Sequence, residues 1–327
     1  MQAGTAAAGA TSLLSRARSR WRRTPRHMSF AASNYSYTAN REAIGGNFLE
    51  ESFSSACVHL AAAGWRDVYL LPGQFFSPDA EKRLSIGSAS CTSGELVAVR
   101  EAATEAGLRI HAMLVPDAPA GERNSAARYT RVIDHAVELG CCWLIDFGVP
   151  AGPEEAEYIA MMRAVVGHAK CKGVSISMKL HRPFATGDEA MAELLRVHDA
   201  VGHPSFGLCM DPGNLSWHPH FAARSKAGAA PPYSLPIEVL RAEAHRFTTI
   251  IVKDCVIEPA ATAMVQPGHG VVDLRTIVAT LCQGGFNGPM LVEKLPGTSV
   301  DELDANMATA LTFCENLLAN RSGRPKL

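Results

Sequence analysis

Four short apolar runs in the second half of the chain each end on charged residues. Phe206–Trp217 reads FGLCMDPGNLSW, where the apolar side chains stop at Asp211 and Pro-Gly-Asn then turns the chain. Thr249–Asp254 (TIIVKD) closes on Lys253 and Asp254. Pro289–Lys294 (PMLVEK) closes on Glu293 and Lys294, and Val174–His181 (VSISMKLH) on Lys179 and His181. An unpaired carboxylate at the buried end of a strand is costly. Asp211 and Glu293 are therefore paired with cations, bound to a metal, or catalytic. Lys179 and His181 stand two apart on one strand and share a face. If that face is inward, an ammonium and an imidazole stand beside the two acids. Lys253 reads the same way, while Asp254 points to the opposite face and is expected to bond backbone. A carboxylate base beside a cationic group is the apparatus for taking a proton next to a carbonyl and holding the resulting enediolate oxygen.

Three further residues are candidates for substrate contact. Asn214 lies in the turn after Asp211. His269 lies between two glycines in Pro-Gly-His-Gly (267–270), where it can bind a hydroxyl or phosphate or simply face solvent. Asp146, in LIDFG, is either a mouth residue or a structural partner. His111, in the middle of IHAML, reads as a core histidine bonded to backbone.

To bring such residues together the elements must alternate. Strand-like segments are expected at 29–37, 66–72, 108–116, 142–150, 174–181, 206–211, 249–254 and 289–294. Helical three- and four-residue periodicity falls at 50–63, 93–106, 125–139, 153–169, 188–201, 237–245, 274–283 and 300–318. Eight alternating pairs imply a parallel sheet, and eight is the number of strands at which such a sheet closes. The expected fold is α/β, a (β/α)8 barrel spanning 28–320, with an open doubly wound sheet as the alternative. Strand ends would then ring one mouth, and the long connections 74–92 and 215–236 would cover it. A third connection, 255–272, carries the Pro-Gly-His-Gly turn.

Composition narrows the partners. The chain has 327 residues, 47% of them hydrophobic, with a formal net charge of −1. Near-neutrality gives no phosphate track for nucleic acid, and no apolar run is long enough for a membrane helix. The nine cysteines include no CxxC pair, and nothing basic adjoins Cys141–Cys142 to activate a thiol. Residues 1–27 form a separate extension. Seven arginines and no acidic residue precede Glu42, which reads as a transit peptide and implies a mitochondrial location, the alternatives being a plain basic extension and a cytoplasmic protein. Residues 321–327 form a tail.

The order KLH (179–181), DPGN (211–214), VKDC (252–255), PGHGVVD (267–273) and GFNGPMLVEKLPG (285–297) resembles the xylose isomerase-like TIM-barrel superfamily, over nearly the whole chain after the extension. That group contains sugar-phosphate isomerases, ketose 3-epimerases, a dehydratase and endonuclease IV-type nucleases. The resemblance implies a small sugar or sugar phosphate as substrate. It also implies one divalent metal held by Glu, Asp, His and Glu from strands five to eight. Asp211 and Glu293 match two of those ligands, but Lys179 stands at the strand-five Glu and Ile251 at the strand-seven His. A protonated lysine and an isoleucine cannot ligate.

Three arrangements remain. His181 joins Asp211 and Glu293 to hold Mg²⁺ or Mn²⁺; or the Lys179 ammonium stands in place of the metal, with Lys179 or Lys253 polarising the carbonyl; or the barrel is non-catalytic, a subunit of a larger assembly. The resemblance favours an isomerase or epimerase. A dehydratase or lyase can use the same groups, and a homo-oligomer fits equally. The nuclease branch resembles a three-zinc site, and this chain lacks most of its histidines and acids.

Overall fold

The computed structural model describes residues 29–33, 53–72, 86–116, 118, 122–148, 153–179, 187–213, 237–257 and 262–319. The arginine-rich extension, most of the two long connections, His181 and Asn214 lie outside the described residues. The described elements run β1 (Phe30–Ser33), α1 (Phe53–Ala62), β2 (Asp67–Leu70), α2 (Ser93–Glu105), β3 (Arg109–Leu114), α3 (Ala126–Leu139), β4 (Trp143–Phe147) and α4 (Pro153–Lys172). They continue with β5 (Ser175–Lys179), α5 (Gly187–Val201), β6 (Phe206–Met210), α6 (Ile237–Ala242), β7 (Phe247–Val252), β8 (Asp254–Ile257), β9 (Thr262–Val265), α7 (Leu274–Gln283), β10 (Met290–Val292) and α8 (Val300–Ala319).

Eight strands close into a parallel barrel in the order β1-β10-β7-β6-β5-β4-β3-β2. The fold is the expected (β/α)8 TIM barrel. β8 and β9 stand apart as an antiparallel pair that starts at Asp254, the expected end of the seventh strand, and runs into the 255–272 connection. Closure is set by Phe30, Ala31 and Ala32 pairing with Met290, Leu291 and Val292.

Alternation sorts each strand between two apolar layers. Inside the barrel Ala31, Tyr69, Leu71, Ala112, Ile145, Cys209, Ile251 and Leu291 form one buried cluster. Their sequence neighbours, such as Val68, Leu144, Leu208, Ile250 and Val292, face outward and join the larger core beneath the helices. Each fully buried Leu, Ile or Val removes apolar area worth about 2 kcal/mol. A strand slipped by one residue would exchange the two layers.

Local signals fix the helices. Thr92 caps α2 in a reciprocal capping box with Glu95, and Ser125 caps α3. α3 ends on Gly140 at φ 79, a left-handed residue that needs no Cβ. The Trp65 indole N–H donates to the Met307 carbonyl at 3.2 Å, tying α8 to the loop before β2. Gly207 does a different job: a Cβ there would come within 2.3 Å of the Thr248 side chain. Its absence lets the Ser177 and Thr248 hydroxyls meet at 2.6 Å across β6.

Two expectations are corrected. β7 begins at Phe247, two residues before the expected start, because the 3-10 turn 244–246 ends the preceding helix early. His111 bonds a side chain rather than backbone. Its Nε2 lies 2.8 Å from the Ser29 hydroxyl, and burial lowers its pKa, with Asp67 opposing and Arg109 assisting.

Candidate active site

The C-terminal ends of β5, β6, β7 and β10 bring Lys179, Asp211, Lys253 and Glu293 to one point. The Lys179 Nζ donates to Asp211 Oδ2 and to Glu293 Oε1, both at 3.3 Å. The Lys253 Nζ donates to the same Asp211 Oδ2 at 3.0 Å and to Glu293 Oε2 at 3.4 Å. Each ammonium therefore bridges both acids, and the four groups form an alternating ring of zero net charge. All four residues are between 1% and 3% exposed. The contacts are longer than the roughly 2.7–2.9 Å of a tight charge-assisted bond, as expected where each cation is shared.

Electrostatics keep Lys179 and Glu293 ionised. Burial alone would lower the pKa of Lys179, but the Glu293 and Asp211 charges overcome it and hold the ammonium above its ordinary range. Burial likewise opposes ionisation of Glu293, and Lys179 and Lys253 reverse that, leaving its pKa below the usual glutamate value. Phe147 covers one side, with the Lys179 ammonium 5.1 Å from its ring centroid. Beneath lies Cys209, whose thiol is pushed up to about 12 by burial, with Lys179 opposing.

The sequence profile of the xylose isomerase-like TIM barrel family matches residues 60–316. The chain belongs to that family. No curated protein matches it significantly. Among solved structures, this xylose isomerase-like barrel is similar to a xylose isomerase domain protein from Planctomyces limnophilus at 18% identity, with 92% of this chain and 100% of that one covered and a TM-score of 0.60. It is also similar to a xylose isomerase-like TIM barrel protein from Mycobacterium smegmatis in complex with magnesium (17% identity, 89% and 98% covered, TM-score 0.60). A third is D-allulose 3-epimerase from Methylomonas sp. in complex with D-allulose (17%, 89% and 98%, TM-score 0.57). At these identities the likeness is one of fold.

The described donors of this xylose isomerase-like barrel do not by themselves fit a divalent cation. An ammonium already lies within 3.3 Å of both acids, so a metal there would meet a positive charge at contact distance. Among the described residues no group of three or more His, Cys, Asp or Glu is placed to hold a metal. The strand-seven position offers nothing further. Ile251 lies in the apolar interior beside Leu291, and Lys253, two residues on, is the side chain that reaches the acids.

Outside the ring the candidates separate. Asp254 turns away from Lys253, as expected, and accepts four backbone N–H groups: Cys255 (2.8 Å) and Val272 (3.0 Å) on Oδ1, Gly268 (3.0 Å) and Gly270 (2.8 Å) on Oδ2. It thereby pins the turn carrying His269, whose side chain is exposed and is no part of the ring. Asp146 is not at the mouth. It shares the outward face of β4 with Leu144 and accepts a 2.7 Å hydrogen bond from the buried Tyr158 hydroxyl of α4.

Sequence reasoning passed over three contributors. Lys294, the one non-glycine with positive φ (55°) among the described residues, turns the chain immediately after Glu293. Its half-buried ammonium is made more acidic by burial and then by Lys253, with Glu293 and Asp211 opposing. Gly213 leaves the space that the Lys253 stem fills: a Cβ there would lie 2.4 Å from the Lys253 Cγ and 2.8 Å from its Cε. Tyr69, in an apolar run with no charge to mark it, sits in the barrel interior close to Glu293.

Two outcomes follow. Gly213→Ala should displace Lys253 and lower stability by roughly 1–3 kcal/mol, read as a fall in the denaturation midpoint. Asp146 has its pKa raised to about 7, chiefly by burial, with Tyr158 and Arg128 opposing. A carboxyl whose folded pKa lies above its unfolded value favours the fold below the unfolded value, and that contribution is lost as pH rises through about 7. Asp146→Asn should remove this part of the pH dependence. Melting temperatures of the variant and the parent should therefore diverge between about pH 4 and pH 7 and run parallel above it.

Proposed function

We propose that this barrel is a metal-independent isomerase or epimerase acting on a small polyhydroxy ketone or aldehyde. The observation that carries the reading is the interleaving of two buried ammonium groups with two buried carboxylates at the mouth of the barrel. Family membership and the D-allulose 3-epimerase among its structural relatives support the sugar class. Glu293 takes the proton from the carbon next to the carbonyl, and the electron pair moves onto the carbonyl oxygen. Lys179 and Lys253 hold that oxygen, the task a Lewis acid would otherwise perform. Asp211 accepts from both lysines and holds them in place. Once the hydroxyl proton on the deprotonated carbon has passed to the enediolate oxygen, return of the proton by Glu293 to the former carbonyl carbon isomerises the substrate. Donation from an ammonium to the opposite face inverts the centre, and the proton on Glu293 then passes to the neutral lysine beside it, which restores the ring.

The test is deuterium incorporation from D₂O into a panel of ketoses, D-allulose among them, followed by NMR after dialysis against a chelator. Exchange that survives chelation is the expected result. Exchange that vanishes and returns with Mg²⁺ or Mn²⁺ defeats the metal-independent assignment. One observation favours a second reading, a non-catalytic barrel: each charge in the ring is satisfied and nearly inaccessible, as in a structural plug. Absence of exchange with every substrate, together with co-purifying partner chains, would favour that subunit role.

A further inference from the structure

The Tyr69 hydroxyl is fully buried and makes no hydrogen bond among the described residues. A buried phenol without an acceptor is rare and calls for an explanation. Strand register supplies part of one. Tyr69 pairs with Ser33 on β1 and with Ala112 on β3. β1 in turn pairs Ala32 with Val292, one residue short of Ser33 and of Glu293. Tyr69, Ser33 and Glu293 therefore fall in one row across three neighbouring strands, all pointing inward. The small side chains of Ser33 and Ala112 leave the phenol room to lie across the barrel. Burial suppresses ionisation of its hydroxyl most, and the nearby charge acting on it most strongly is that of Glu293, ahead of Cys209 and Asp211.

We propose that Tyr69 is a positioning residue for Glu293, donating its hydroxyl proton to that carboxylate when the lysines turn from it toward a bound substrate. The inference rests on the reading of Glu293 as the base. In the resting ring the Glu293 oxygens are held by Lys179 and Lys253. Drawing either ammonium onto a substrate oxygen strips the carboxylate of a donor just when it must stay ionised and aimed. The phenol stands in the same row from the strand beyond β1 and makes no hydrogen bond among the described residues, so it is placed to supply the replacement bond.

Tyr69→Phe removes one oxygen atom and keeps the ring that fills the interior. A donor to the ionised form lowers the pKa of a carboxylate, so removing it should raise that pKa. The acid limb of kcat for proton exchange, which reports the substrate complex, should therefore move up by roughly half to one pH unit, with the melting temperature little changed. Thr249→Val, which removes another buried hydroxyl that makes no hydrogen bond among the described residues, should leave the limb in place. A second measurement needs no turnover. In protein labelled with ¹³C at the tyrosine Cζ, the Tyr69 signal, identified by its loss in Tyr69→Phe, should shift on Glu293→Gln and stay fixed on Asp146→Asn. An unmoved acid limb, or a Tyr69 signal indifferent to Glu293→Gln, overturns the proposal. If no substrate shows exchange, the reading of Glu293 as base fails, and the NMR measurement alone decides whether the hydroxyl senses that carboxylate.

Discussion

Lys179→Met lowers the stability of the barrel by roughly 3–5 kcal/mol, the cost expected when one member of a buried ion cluster is removed and a charge is left uncompensated. Methionine nearly matches the length of the lysine stem, so the loss comes from charge and not from a cavity. Asp211 and Glu293 are left sharing Lys253 alone, with one excess negative charge in a region 1–3% exposed. Chemical denaturation at neutral pH measures the effect. The double variant Lys179→Met/Glu293→Gln restores the balance and should recover a substantial part of the loss, giving a coupling energy well above zero. The pH dependence has a definite sign. The Glu293 pKa is depressed in the fold, so its contribution is complete above the ordinary glutamate range and is lost as pH falls through the depressed value. The gap between Lys179→Met and the parent should therefore narrow on acidification. A cost below about 1 kcal/mol at neutral pH would mean that the ring is not the closely coupled unit its distances describe.

Glu293→Gln has the second large effect. Replacing the base by an isosteric amide should cut proton exchange by roughly 10²- to 10⁴-fold, the usual worth of a positioned general base. The amide oxygen can still accept from one lysine, but its NH₂ group then faces the other. A modest loss of stability with the fold intact is therefore expected beside the large loss of turnover. Deuterium incorporation followed on the best substrate separates the two effects, because circular dichroism reports the fold on the same sample. An unchanged exchange rate in the variant ends the assignment of Glu293 as the base.

The architecture was legible because barrel strands announce themselves. Seven of the eight lie wholly inside the segments that apolar runs and turn residues mark out, and only β7 starts early. The ring was legible for the same reason. Charges that end apolar strands have few places to go, and Lys179, Asp211, Lys253 and Glu293 do converge. Two kinds of feature escaped. The β8–β9 hairpin pairs two four-residue strands, too short for a period to show in a stretch that otherwise reads as turn. Asp146 stayed open between mouth residue and structural partner because its strand position fixes which side of the sheet it takes only once register is known; β4 presents Ile145 and Phe147 to the interior, and Asp146 pairs with Tyr158 outside it. Tyr69 and Gly213 carry no charge, and their parts depend on what stands across the barrel from them.

Lys253 and Asp254 are consecutive residues with opposite duties, one feeding the mouth and the other gathering the loop that follows. A single inserted residue in the preceding strand would exchange their sides. It would deliver a third acid to the mouth and an ammonium to four amide hydrogens that repel it. The phase of one strand thus governs the charge at the mouth and the anchoring of a loop together, so an engineer wishing to retune either must work by substitution and leave the length of that strand untouched.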